Sequence, residues 1–251
     1  MMNRDYYIYG LHTCVAEIES SSKAIKEVFI SRKSKNKLLK KIEDFASNEK
    51  ITVSFIDRDK LTIMCQASNH QGVAMKLSHP SIQGTFDVEK FVQISQKPII
   101  LIIDNIQDPH NLGACIRTAN AAGVSLIVKR KTNSVGLTPT VQKVASGGCS
   151  NIIIHESNNI IQLMKTIKKS NIPIIGTSDS GIENIYSQRT LSNGFALVVG
   201  SEGEGIRKSV MNHCDFMVRI PIYGSVDCLN LSVATGVALY QLRQHLKNPS
   251  D

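Results

Sequence analysis

Three segments in the second half of the chain carry polar side chains whose types and spacing could do chemistry. In the first, residues 108–123 (DPHNLGACIRTANAAG), Asn111 is expected to open a helix, and Arg117 follows six residues later. This spacing places an amide and a fixed cation near the end of a strand. Taken alone, the pair is more typical of an N-cap asparagine and a surface arginine than of a catalytic site.

The second segment, residues 200–206 (GSEGEGI), follows an apolar run and contains three glycines. Glycines let a loop approach a ligand closely, and its free backbone N–H groups could receive ligand oxygens. Glu202 and Glu204 would repel a phosphate, so the loop favours a ligand that carries positive charge. Glycine-rich turns are common, and this segment alone is a weak signal.

The third segment is residues 220–240 (IPIYGSVDCLNLSVATGVALY), in which Asn230 precedes a helix rich in small residues. Such a helix surface lets another backbone pack closely, and core packing accounts for most of these small residues. A further candidate is His110, which could act as a general base. Histidines in turns more often only pack or form hydrogen bonds.

Several common classes of site are missing from the sequence. No GxGxxG follows the first strand of this half, and no GxxxxGK occurs, which disfavours Rossmann enzymes and P-loop NTPases. The six cysteines form no CxxC pair and none stands at zinc-ligand spacing from a histidine. We therefore expect reduced thiols, no disulfide framework and no metal site.

The elements that must position the three segments alternate along residues 98–251. Short apolar runs predict strands, and amphipathic stretches between them predict helices. Continuous apolar strands of this kind are typical of a parallel sheet covered on both faces, so the fold class is α/β. The predicted strands are 98–106, 125–129, 151–155, 172–178, 195–200 and 216–222, and the predicted helices lie near 111–122, 138–146, 158–169, 205–213 and 231–246.

The first 78 residues are predicted to form a small, separate α/β unit. Leu11, Val15 and Ile18 indicate one helix, and the residues from Leu38 to Phe45 indicate a second, whose outer face is rich in lysine. That face is equally consistent with RNA contact and with a solvated surface. Strands are predicted near 27–31, 51–55 and 73–77. Residues 79–97 are predicted to form a linker that could hold a short helix at 88–94.

The charge of the chain is strongly basic. Its 251 residues carry a net charge of +8 at pH 7, which favours polyanionic partners such as nucleic acid. No apolar run reaches the roughly 18 residues that cross a bilayer, and the first ten residues lack the pattern of a signal peptide. A cytoplasmic location is therefore expected.

In order and spacing, the three segments resemble the three motifs of the SpoU branch of the SPOUT superfamily, which are RNA ribose 2′-O-methyltransferases. The resemblance is strongest to the bacterial 23S rRNA (guanosine-2′-O)-methyltransferases. It extends to residues 9–18 (YGLHTCVAEI), 69–77 (NHQGVAMKL) and 101–124 (LIIDNIQDPHNLGACIRTANAAGV), and therefore covers nearly the whole chain.

The resemblance implies a function and an architecture. It implies transfer of a methyl group from S-adenosylmethionine to the ribose 2′-hydroxyl of a guanosine in 23S rRNA. It also implies an L30e-like RNA-binding domain at 1–78, a linker at 79–97, and at 98–251 a SPOUT-type parallel sheet with a C-terminal trefoil knot. A homodimer would complete the active site. A tRNA ribose 2′-O-methyltransferase and a non-catalytic RNA-binding or ribosome-assembly protein remain as alternatives.

The resemblance also assigns roles to individual residues. Four match the family's functional polar positions, and four match positions that contact the cofactor, largely through backbone groups. Arg117 could activate the ribose hydroxyl with help from a substrate phosphate, or could instead clamp that phosphate. The polar set is Asn111, Arg117, Glu202 and Asn230, and the cofactor set is Thr177, Gly200, Ile220 and Leu229.

One position departs from the family pattern. This chain has Cys228 before Leu229 and Asn230, where many family members have serine, and Asp227 is also unusual. A thiol is a weaker hydrogen-bond donor than a hydroxyl. If the hydroxyl matters for catalysis, the enzyme would be slower or would use Ser225; if only the backbone matters, nothing is lost.

Overall fold

The structure is a computed structural model that describes residues 6–20, 25–32, 36–65, 67–77, 86–149, 152–187, 190–201 and 203–246. Its first elements are β1 (Tyr6–Tyr9), α1 (Leu11–Ser20), β2 (Ile25–Ser31), α2 (Lys37–Asn48), β3 (Thr52–Ile56), α3 (Arg58–Cys65), β4 (Val73–Leu77) and α4 (Val88–Ile94). They are followed by β5 (Ile99–Ile103), α5 (Pro109–Ala121), β6 (Leu126–Arg130), α6 (Pro139–Ala145), β7 (Ile153–Ser157), α7 (Ile160–Lys169), β8 (Ile174–Thr177), β9 (Glu183–Asn184), β10 (Phe195–Val199), α8 (Lys208–Met211), β11 (Phe216–Arg219) and α9 (Leu231–Gln244).

The chain divides into two compact units. The N-terminal unit comprises Met1–Thr85 together with Leu137–Asn151, and the C-terminal unit comprises Phe86–Gly136 and Ile152–Asp251. Helix α4 therefore packs with the C-terminal unit, where Val88 and Val92 join the core beside α7. No helix in the described part of the chain is long and apolar enough to cross a membrane.

The N-terminal unit is built on a four-stranded sheet in the order β1-β4-β2-β3. Strands β2 and β3 are parallel, and β4 runs antiparallel to both of its neighbours. The predicted helices at α1 and α2 and the predicted strands at β2, β3 and β4 are confirmed. Strand β1 and helix α3 were not predicted, because each is short and neither has clear apolar periodicity.

Helix α6 packs with the N-terminal unit although it lies between β6 and β7 in sequence. The ammonium of Lys143 lies 5.0 Å from the centre of the Tyr9 ring, a cation–π contact. The same ammonium donates a hydrogen bond of 3.0 Å to the carbonyl of Asn69. Side chains of α6 therefore contact both β1 and the turn before β4.

The C-terminal unit contains a seven-stranded sheet in the order β7-β6-β5-β10-β8-β11-β9, and every pair in it is parallel. The central strands β5 and β10 are buried at every position, as their continuous apolar sequences predict. All six predicted strands are present, while the two-residue β9 was not predicted. Because the strands are parallel, their carboxyl ends lie along one edge.

Helices α5 and α9 pack closely against each other. A Cβ on Gly236 would lie 3.2 Å from the Cγ2 of Thr118, so the small residue allows the approach. The Sγ of Cys115 lies 3.6 Å from the Oγ1 of Thr235 in the same interface. The prediction that the small-residue helix packs against another backbone is confirmed, and this packing brings the N-termini of both helices together.

Candidate active site

The side chains of Asn111 and Asn230 meet at the N-termini of α5 and α9. The Nδ2 of Asn230 donates a 3.0 Å hydrogen bond to the Oδ1 of Asn111. The Oδ1 of Asn230 caps α9 by accepting from the backbone N–H of Ser232 at 2.9 Å and from its hydroxyl at 2.6 Å. These bonds fix the orientation of both amides.

The expectation that Asn111 opens helix α5 is wrong. The N-cap is Asp108, whose carboxylate accepts from the backbone N–H groups of His110 and Asn111 at 3.0 and 3.3 Å. Pro109 then occupies the first turn, where its missing N–H has no cost. Asn111 is consequently not needed as a cap, and its nearly buried side chain contacts Asn230 instead.

A cleft of about 320 Å³ opens beside this amide pair. Its walls come from the segment after β5, the first turn of α5, the glycine loop and the start of α9. Asp108 and Glu204 add carboxylates to a lining that is otherwise mostly neutral and polar. The lining residues are Asn105, Ile106, Gln107, Asp108, Asn111, Ser201, Glu204 and Leu231.

The glycine loop after β10 folds back on itself. The backbone groups of Ser201 and Gly205 exchange two hydrogen bonds of 3.0 and 3.1 Å. A Cβ on Gly200 would lie 2.0 Å from the carbonyl carbon of Gly205, so only glycine fits at that position. Gly205 has a φ of +65°, in the left-handed region. This closed turn occupies the start of the predicted helix 205–213, and α8 is therefore shorter than predicted.

A buried ion pair ties this loop to the central strand. The carboxylate of Asp104, which directly follows β5, is completely buried. It accepts from the Nε of Arg207 at 2.9 Å and from the backbone N–H of Arg207 at 2.9 Å. The hydrogen bond to Asp104 raises the pKa of the Arg207 guanidinium. Sequence reasoning missed this pair, since nothing local links two residues 103 positions apart.

Three of the residues assigned to cofactor binding lie at the ends of neighbouring strands. Thr177 ends β8, Gly200 follows β10 and Ile220 follows β11. Since β8 pairs with both β10 and β11, these three positions share one edge of the sheet. The hydroxyl of Thr177 donates to the carbonyl of Val198 at 3.3 Å. Leu229 is half-buried just before α9.

The remaining predicted residues are placed differently. Arg117 is exposed on α5 and does not line the cleft. Six residues turn a helix by about 240°, so Arg117 faces away from Asn111. Cys228 is exposed, and Glu202 lies outside the described residues. His110 is also exposed, and does not belong to the cleft lining.

The chemistry available in the cleft is binding and orientation. Its described lining includes neither histidine nor cysteine nor lysine, and the nearby thiol of Cys214 has its pKa raised to about 12 by burial. No group of three or more metal-ligating side chains occurs in the part of the chain that the structure describes. Fixed amides, two helix N-termini and carboxylates suit transfer of a group between two bound substrates.

Comparison with known proteins places the chain in a family. The profile of the SpoU rRNA methylase family matches residues 98–240, and a profile for RNA 2′-O ribose methyltransferase substrate binding matches residues 7–83. The fold is similar to that of an AdoMet-bound rRNA methyltransferase from Sinorhizobium meliloti, with a TM-score of 0.77 and 21% identity over 98% of this chain and 89% of that one.

Curated relatives are similar over nearly their full length. The chain is 36% identical over 247 residues to the 23S rRNA (guanosine-2′-O-)-methyltransferase RlmB of Neisseria meningitidis, covering 96% of each chain. It is 33% identical over 234 residues to RlmB of Escherichia coli, covering 93% of this chain and 96% of that one. The chain belongs to the SpoU rRNA methylase family.

The Asp104–Arg207 pair yields a stability prediction. Asp104→Asn removes the charge that holds Arg207 and should lower the free energy of unfolding by about 2 kcal/mol, as expected for hydrogen bonds to a charged group. Urea unfolding followed by circular dichroism measures this change. Glu19→Gln is the control, because its ion pair with Lys41 is exposed and contributes at most about 0.5 kcal/mol. Equal effects of the two substitutions would contradict the assigned role.

Proposed function

We propose that this enzyme transfers a methyl group from S-adenosylmethionine to the ribose 2′-hydroxyl of a guanosine in 23S rRNA. The observation that carries the proposal is the similarity to RlmB proteins along nearly the entire chain, across both units. The hydrogen bond between Asn111 and Asn230, and the cleft that Asn111 shares with Ser201 and Glu204 of the glycine loop, support the proposal. An rRNA substrate also matches the net charge of +8 and implies the cytoplasm.

The residues of the C-terminal unit fit S-adenosylmethionine, which supplies an electrophilic methyl group on a positively charged sulfur. Thr177, Gly200, Ile220 and Leu229 would hold it, mainly through backbone groups at the strand ends. Gly200 keeps the loop backbone close because no side chain separates it from Gly205. The α9 region would form a trefoil knot at the carboxyl edge of the sheet.

The polar residues would then orient the RNA. Asn111 and Asn230 are neutral amides that hold each other in place, so they can position the ribose without taking its proton. Glu202, from the glycine loop, completes this set. The attacking hydroxyl must be aligned with the methyl carbon and the sulfur, and such alignment is a large part of the rate.

Arg117 would bind the RNA phosphate beside the target ribose. Its guanidinium is exposed and makes no ion pair with any residue in the described ranges. A guanidinium is a poor base because it keeps its proton in proteins. A phosphate clamp that also stabilises negative charge developing on the ribose oxygen agrees better with these properties.

In a homodimer, Arg117 of one protomer would reach the cleft of the other protomer. Arg117 faces away from Asn111 on its own helix, so the cleft it serves would be that of a second protomer. An apolar surface suited to the contact runs along α9, where Val233 and Tyr240 are each about half exposed and stand seven residues apart on one face. Tyr223, 89% exposed, adds to the apolar surface near this helix.

The N-terminal unit would act as the L30e-like RNA-binding domain, centred on residues 1–78. Its sheet is covered by α1 and α2, and α2 presents Lys37, Lys40 and Lys41 to solvent. Residues 79–97 would connect it to the catalytic domain at 98–251, with α4 packed on the catalytic side of that connection.

The experiment that tests this function is methyl transfer from labelled S-adenosylmethionine to large-subunit rRNA transcribed without modifications, with bulk tRNA in parallel. Mass spectrometry of the digested nucleosides should show 2′-O-methylguanosine from rRNA alone. Methylation of tRNA alone would keep the chemistry and replace the substrate. Cofactor binding is measured separately by calorimetry, and a chain that binds no cofactor would be a non-catalytic RNA-binding protein.

Arg117→Ala should lower turnover at least 100-fold, because it removes the phosphate contact and the stabilising charge. Cofactor affinity should stay within about twofold, since Arg117 is not among the residues assigned to the cofactor. Single-turnover methylation and calorimetry measure the two quantities. Lys169→Ala, an exposed cation on α7, is the control and should leave both unchanged. Normal turnover in Arg117→Ala would disprove the assignment.

Co-expression tests whether Arg117 acts on the partner's cleft. Arg117→Ala and Asn111→Ala should each be inactive as homodimers, but their heterodimer contains one intact site, so a mixed population should recover about one quarter of wild-type activity. If Arg117 serves its own protomer, the mixture stays inactive.

Tyr240→Glu should shift the mass measured by light scattering from twice 27.6 kDa to that of one chain, because it places a charge on the apolar surface of α9. The control Ile63→Glu, at a side chain that is 77% exposed on α3, should leave the mass unchanged.

A further inference from the structure

Three buried polar atoms near the carboxyl edge of the larger sheet lack hydrogen-bond partners among the described residues. They are the Oδ1 of Asn105, the Nε of Arg130 and the Oγ of Ser134, and all belong to the C-terminal unit. Among the described residues only one other buried side-chain atom shares this property, the Oε1 of Gln142 in the N-terminal unit. Buried polar groups are nearly always paired, so three in one place require an explanation.

Strand register places Arg130 opposite Asp104, the residue before Asn105. Strands β5 and β6 are parallel neighbours with Ile103 opposite Lys129. The residues that follow, Asp104–Asn105 and Arg130–Lys131, therefore emerge side by side at the carboxyl edge. The backbone N–H of Val135 donates to the carbonyl of Ile106 at 2.8 Å, which returns the loop carrying Ser134 to Asn105. Asn105 itself lines the cleft.

Charge distinguishes Arg130 from its neighbours. Lys129 is buried and paired with Glu156 at 2.9 Å, and Asp104 is paired with Arg207. The guanidinium of Arg130 makes neither an ion pair nor a hydrogen bond within the described ranges. The edge beside the cleft therefore holds one uncompensated cation with an amide oxygen and a hydroxyl next to it.

We propose that Asn105, Arg130 and Ser134 recognise the guanine base of the target nucleotide. The inference rests on the proposed function and names the residues that select the base. Guanine presents two acceptors, O6 and N7, which match the planar fork of an arginine. It also presents N1–H and an amino group at C2, which an amide oxygen or hydroxyl can accept. Adenine carries an amino group where guanine has O6, and that group would face Arg130.

The three unpaired polar atoms of Asn105, Arg130 and Ser134 are suited to base recognition. None of the three atoms has a hydrogen bond within the described residues that must break before a base can bind. All three side chains are only partly covered, and the terminal torsion of an asparagine has a broad energy minimum, so they can turn toward the cleft. Base binding would give each group the partner that it lacks, so a guanine would be favoured over a base of the wrong pattern.

The test uses nucleotide binding, which requires no turnover. Guanosine, inosine and adenosine 5′-monophosphates are titrated by saturation-transfer NMR into the full chain saturated with S-adenosylhomocysteine. The wild-type chain should prefer guanosine over adenosine by roughly 10-fold and over inosine, which lacks the C2 amino group, by roughly 5-fold. Asn105→Ala should abolish the guanosine–inosine difference, and Arg130→Gln should abolish the guanosine–adenosine difference.

Lys131→Gln is the matched control, because it removes the same charge from the adjacent exposed position. It should weaken all three nucleotides equally and keep their order. A wild-type chain without guanine preference, or variants that keep the wild-type order, would overturn the proposal. Failure of rRNA methylation with the guanine preference intact would instead count against the proposed function alone.

Discussion

The ion pair between Asp104 and Arg207 fixes the glycine loop against the carboxyl end of β5 in the C-terminal sheet. Asp104 has no exposure to water, so its charge is tolerated only because Arg207 surrounds it with hydrogen bonds. A buried carboxylate that lost this partner would be strongly disfavoured. The glycine loop immediately precedes Arg207, and its position is therefore set by the electrostatics of the central strand. Cleft geometry and domain stability depend on the same contact.

Around this pair, groups of different charge occupy different places. The carboxylates of Asp108 and Glu204 lie in the cleft lining, together with Asn111. Free guanidinium groups, those of Arg117 and Arg130, lie outside the lining, where an RNA would approach. Asn111, which is hydrogen-bonded to Asn230, belongs to the cleft lining itself. Among the described residues, negative charge therefore lies inside the cleft and these two guanidinium groups lie outside its lining.

Much of the architecture could be predicted because apolar periodicity is a local property. The apolar composition of β5 and β10 predicted that both strands are buried, and the small residues of α9 predicted that this helix packs closely against another element. The motifs led to the correct elements for Asn111 and Asn230. Their mutual hydrogen bond, and the pairing of Asp104 with Arg207, depend on which strands become neighbours, and a single sequence does not contain that information. The start of α5 was predicted wrongly, because Asp108 rather than Asn111 caps this helix.

The packing of α6 with the N-terminal unit has a consequence for the order in which the chain is made and folded. Residues 1–85 leave the ribosome first, but this unit also needs Leu137–Asn151, including the Lys143 contacts to Tyr9 and Asn69. Domains fold in general as units, and the N-terminal one usually completes first during synthesis. Here it must wait until β5, α5 and β6 of the other unit have also been translated. Folding of the N-terminal unit therefore depends on synthesis of part of the C-terminal unit. Neither unit corresponds to a contiguous stretch of the gene that could be exchanged intact.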